Sequence, residues 1–180
     1  MTDHDPPAGA ARSADRTDPP MIGDERATLV GFLDYQRQTF AWKCAGLEPE
    51  QLARRAVPPS ELSLLGLLRH LAEVERGWFR EFAGEPTSDL YCTDADPDLD
   101  FHGAVADPAV VEAAYAHWQA EVDHAREIVA GAQLEDTFTR QRDGKTISLR
   151  WVLAHMIEEY ARHNGHADLL RERIDGATGE

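Results

Sequence analysis

Cysteine is nearly absent from this chain: Cys44 and Cys92 are the only two in 180 residues. Two isolated thiols without CxxC spacing exclude a disulfide scaffold and point to a reducing, cytoplasmic setting. Neither is expected to act as a nucleophile. Basic residues are also few, 18 Lys and Arg against 33 Asp and Glu, for a formal net charge of -15. That balance argues against a nucleic-acid partner, which calls for a basic footprint, and against an anionic membrane surface. No apolar run approaches the ~20 residues of a membrane span. The first residues, MTDHDPP, have neither the basic start nor the apolar centre of a secretory signal. No internal repeat is evident.

What is present is a chain long enough to bury a core and patterned for helices. Residues 1–22, rich in Asp, Pro and Ala with two Pro-Pro pairs, are expected to form a disordered leader. Residues 23–176 form one domain, and 177–180 a tail. A first helix is predicted from Asp24 to Cys44 and a short turn from Glu50 to Ala56. A second long helix starts at Ser60 or Ser63 and stops before Gly84. An Asp-rich connection over 84–106 is too long to be a plain linker in a compact domain, and its aromatics are expected to pack over the body. Asp107-Pro108 opens a third helix running to about Ala130. Asp143-Gly144 marks a small hairpin within Phe138–Ile147. Ser148 caps a fourth helix ending near Ile174. The prediction is an all-α fold, a four-helix bundle with one long crossover.

The last helix carries the most informative stripe. At roughly 100° per residue, His155, Glu159, His163 and His166 fall within an arc of about 80°. Glu159 and His163 are spaced i, i+4, so their side chains meet over one turn. The same spacing lets helical ligand pairs hold zinc, but a third ligand must come from another element. His70 is the candidate, at the edge of the apolar stripe Leu64, Leu67, Leu71, Val74, Trp78 of the second helix. Gly66 and Gly77 beside it are expected to leave room for a ligand, and Glu73 to accept a hydrogen bond from its imidazole.

Two imidazoles and a carboxylate match several catalytic zinc sites with a fourth position for water or substrate, and also iron sites of oxygenases. Zinc is the expected metal, with nickel, manganese or iron compatible with the same ligands. A divalent cation there lowers the pKa of a bound water or thiol. His155 is read as a ligand or a group supporting one. His166 and Arg162 are read as binding substrate or cofactor, while Arg162 and Asp168, at i, i+6, do not share a face. His117 and His124 read as solvated surface, and His102 carries no reading.

The runs LLRHLAEVERGWF (67–79) and HMIEEYARHNGHAD (155–168) together resemble the DinB-like superfamily, and more closely its mycothiol-dependent branch, over about residues 24–176. The resemblance implies a four-helix bundle, often a homodimer, with a metal triad at one end. In the branch similar to mycothiol-dependent maleylpyruvate isomerase, glutamate replaces one of three histidines. His70, Glu159 and His163 fit that pattern. Mycothiol as cosubstrate and S-transfer to, or isomerisation of, a small electrophile are what the resemblance implies. The competing readings are a metallohydrolase, with Glu73 or His166 as base, and a non-catalytic ligand-binding bundle stapled by metal.

Overall fold

A computed structural model of the chain describes residues 16–179; the part of the expected leader before residue 16 lies outside the described residues. The described chain is mostly helical. Its elements in order are α1 (Glu25–Cys44), α2 (Pro49–Leu52), α3 (Leu64–Phe82), α4 (Leu99–His102), α5 (Pro108–Gly131), β1 (Thr137–Thr139), β2 (Thr146–Ser148) and α6 (Leu149–Asp175).

The helix starts are written in their caps. Asp24 accepts from the Ala27 amide at 2.7 Å, Ser63 from Gly66 at 3.0 Å, Asp107 from Ala109 at 2.8 Å and Ser148 from Trp151 at 3.3 Å. Each satisfies an amide that has no partner inside its helix. Ser63, rather than Ser60, starts α3. Gly176, at φ +77°, closes α6 in the left-handed conformation. β1 and β2 pair antiparallel, with Phe138 opposite Ile147.

The four long helices form two parallel pairs. Along α1 and α6, Glu25 meets Arg150, Gln36 meets Asn164, and the Lys43 carbonyl meets Arg171. Along α3 and α5, Arg76 meets Glu121, and His124 reaches Glu85 just past the end of α3. The pairs are antiparallel to each other, since His70 faces Glu159 while Trp78, two turns later, faces Trp151. α3 touches α4, α5, α6 and β1. Its first turns are accordingly buried nearly all round: Leu64, Leu65, Leu67, Leu68 and Leu71 are each at most 1 % exposed. A buried leucine contributes about 1.5–3 kcal/mol, so this run fixes α3, and His70 with it, against α6.

Three elements differ from the sequence expectation. α2 is one turn ending at Leu52, before the expected Ala56. The connection after α3 contains α4, which Arg69 pins by donating to the carbonyls of Asp100 (2.7 Å) and Leu99 (2.9 Å). The described end of the leader lies along α1. There the Thr17 amide donates to Gln38 at 2.7 Å, and Pro20 covers Gly31 so closely that a Cβ would sit 2.7 Å from its Cδ.

Candidate metal centre

α3 and α6 cross where His70 meets Glu159 and His163. One ligand atom from each of the three lies within 4.8 Å of the others. Glu159 Oε1 is 3.0 Å from His163 Nε2 and 3.4 Å from His70 Nε2. Glu159 and His163 are both buried, each 8 % exposed, while His70 opens to the surface on one edge. Among the described residues, no other group of His, Cys, Asp or Glu converges in this way.

Each imidazole is held from behind. His70 Nδ1 donates to Asp100 Oδ2 at 2.9 Å, and Asp100 is only 3 % exposed. That bond turns Nε2 toward Glu159. The His70 ring also stacks on Phe101, centroids 5.0 Å apart. His163 Nδ1 lies 3.3 Å from His166 Nδ1. Burial and then the neighbouring charges of His163 and Arg162 lower the His166 pKa. A neutral His166 therefore has a lone pair to accept from His163.

The electrostatics call for positive charge. Burial pulls the His70 imidazole down, but hydrogen bonds to Asp100 and Glu159, and their charges, push it up to about 9. The hydrogen bonds from His163 and His70 hold the Glu159 carboxyl well below the usual carboxylate range, against the opposing effect of burial. Glu159 Oε2 lies 3.4 Å from Arg162 Nη1, and Arg162 also pairs with Glu158.

The structure thus brings together His70, Glu159 and His163, with His166 and Arg162 beside them. It does not bring His155 into the cluster: that ring stacks on Trp151 at 4.9 Å and meets the edge of Trp78 at 4.8 Å. Glu73 does not reach His70. Its carboxylate accepts the amides of Leu90, Tyr91 and Cys92 and so ties down the connection. Asp100 takes the role expected of Glu73. Sequence reasoning missed it because one acid in an Asp-rich connection has no periodicity to mark it. Gly66 leaves no room for a ligand, since a Cβ there would sit 3.0 Å from Phe101 Cδ1. Asp168 pairs with Lys43 at 2.5 Å. His117 contacts the Tyr91 hydroxyl, His124 pairs with Glu85 and His102 with Asp96. Burial pushes the Cys44 thiol up to about 12 and, with nearby carboxylates, Cys92 up to about 11. Neither thiol is a thiolate at neutral pH.

A family model described as mycothiol-S-transferase matches residues 28–176. No curated protein matches the chain, and no solved structure does.

Proposed function

The chain belongs to the mycothiol-S-transferase family, and from that premise we propose that it is a metal-dependent enzyme joining the thiol of mycothiol to a small electrophile. His70, Glu159 and His163 would hold the cation. The donor set suits zinc: ligand atoms about 2.0–2.2 Å from one zinc ion sit roughly 3.3 Å apart in a tetrahedral site, the two separations from Glu159 are 3.0 and 3.4 Å, and all three ligand atoms lie within 4.8 Å of one another. The carboxylate behind His70 is a support that metal-bound histidines use, and His166 stands in the corresponding place behind His163. Zinc is the expected ion, and nickel, manganese or iron suit the same ligands.

A divalent cation bound there supplies one thing: it lowers the pKa of a coordinated thiol so that the sulfur is a thiolate at neutral pH. The chain's own residues do the rest. Asp100 orients His70. Glu159 offsets positive charge at the centre of the site. His166, neutral, accepts from His163 and holds it in place, Arg162 at the rim binds the polar part of the thiol, and the thiol proton passes to solvent. A carbon–sulfur bond then forms as the electrophile's leaving group departs with its electron pair.

The single observation that carries this reading is the convergence of His70, Glu159 and His163. The hydroxide-based hydrolase loses Glu73 as its base, since that carboxylate is occupied by three backbone amides. We read the long helices as a four-helix bundle forming one domain over 23–176. The homodimer rests on the family resemblance, and the two unpaired cysteines suit a reducing cytoplasm.

The test is conjugation of mycothiol to monobromobimane by metal-loaded protein. The expected result is turnover that needs both metal and thiol and is lost in Glu159→Ala. A metal-loaded protein with no affinity for any low-molecular-weight thiol would defeat the proposal.

A further inference from the structure

Of the sides on which the long helices meet, three close by packing: α1 on α6, α3 on α5 and α3 on α6. The fourth, α1 beside α5, is spanned by side chains. At one end of that seam Phe40 meets Trp118, ring centroids 6.4 Å apart, and the Tyr115 hydroxyl donates to the Cys44 carbonyl at 3.2 Å. At the other end small residues stand in place of aromatics. Ala27 and Val30 of α1, with Val129 and Ala130 of α5, wall a hollow of ≈ 320 Å³. Leu33 and Leu153, each 1 % exposed, form its floor. None of the residues that line it belongs to the metal centre.

Charged groups line the hollow too, and each already has a partner. Arg26 donates to the carbonyls of Val129 and Ala132, where it meets the negative end of α5. Arg126 donates to Asp34 and Asp123. Arg37 is held by Glu75 and Asp34, and Asp24 accepts the Ala27 amide. A cationic ligand would face three guanidiniums, and an anionic one would compete with acceptors already in place. A neutral apolar molecule meets neither obstacle and takes the apolar floor and walls out of water.

The bridges also limit the size of the occupant. Arg26 and Asp34 are eight residues apart, about 12 Å along α1, and each is bonded across the seam to α5. A helix or strand of another protein laid along the seam would have to cross both bridges. A compact molecule can enter between Ala27 and Ala130, both of which are exposed. An apolar cavity of about 150 Å³ takes up benzene, so this one has room for a larger ring system.

We propose that the seam between α1 and α5 is a second binding site, separate from the metal centre, for a small, neutral, largely apolar molecule of one or two aromatic rings.

The experiment titrates N-phenylnaphthylamine, a neutral aromatic whose fluorescence rises out of water, into the full-length protein, and follows the Leu and Val methyl resonances. The expected result is about one equivalent bound, shifts at the methyls of Val30, Leu33, Val129 and Leu153, and a Tm that rises with probe concentration. The double variant Ala27→Leu, Ala130→Leu fills the hollow with a good helix former. It should fold, with a Tm no lower than that of the wild type, and bind the probe at least about tenfold more weakly. Ala154→Leu, the same change on the exposed face of α6, should bind it as the wild type does. A wild type that takes up no probe would overturn the proposal. So would shifts confined to methyls elsewhere, or a double variant that binds the probe as tightly as the wild type. A wild-type oligomer that the double variant breaks would overturn it as well, since a second copy would then cover the seam.

Discussion

Two polar clusters share α3 and α6 only a turn apart, and they are built to opposite ends. In the first, Glu75 is fully buried and chelates Arg37 through two bonds of 2.7 Å. Tyr160 donates to the same carboxylate at 2.8 Å, and Trp118 donates to the Tyr160 hydroxyl at 2.8 Å. Arg37 also donates to Asp34 at 3.2 Å, and both Glu75 oxygens have partners. In the second, two carboxylates, Asp100 and Glu159, face two imidazoles, of which His70 holds its proton up to about pH 9 in the metal-free protein. Three ligand atoms converge on one spot, and the hydrogen bonds joining the two imidazoles to Glu159 there are ones that a cation could replace. The closed cluster behaves as a structural lock. The open one has replaceable hydrogen bonds and an exposed edge at His70, the features of a site.

That contrast predicts separable failures. The largest effect on stability belongs to the closed cluster. Arg37→Ala strands the Glu75 charge and should cost about 3–5 kcal/mol in urea denaturation, while the fraction that remains folded still takes up metal. Glu159→Gln should do the reverse, abolishing metal uptake in elemental analysis while the amide keeps the shape of the carboxylate and the metal-free protein stays folded. Comparable loss of fold in both variants would erase the distinction.

Asp100→Asn sharpens the comparison by leaving the three ligands in place. It should weaken zinc binding about 10–100-fold in a competition titration, since it removes the charge that orients His70.

The smallest effect is a pH dependence with a definite sign. His70 in the folded, metal-free protein titrates at about 9, above its ordinary 6.5. Its stabilising contribution is therefore fully present below about pH 6.5 and is lost as pH rises through about 9. Metal-free protein should lose stability over that window, as read by denaturant midpoints. At pH 7 it should release a proton on binding zinc, and its zinc affinity should rise toward pH 9.

How legible each cluster was in the sequence follows from the same contrast. The three proposed ligands stand on amphipathic helices whose periodicity places them, and the caps Ser63, Asp107 and Ser148 fix where those helices start. The register between α3 and α6 then follows from the leucine run. Asp100 was hidden because a four-residue helix has no period to read. Glu73 looked better placed, one turn from His70, but the connection's unpaired amides claimed it. The closed cluster was hidden for another reason: nothing in the sequence sets Arg37 and Glu75 apart from other charged helix residues, and only the bonds joining α1, α3 and α6 show them paired and buried.

The most direct measurement of the central claim is the metal content of purified, untagged protein by elemental analysis, beside His70→Ala and Glu159→Ala. About one equivalent of a divalent metal in the wild type, lost in both folded variants, is the predicted result. A wild type that arrives without metal and takes up no zinc, nickel, manganese or iron would contradict it.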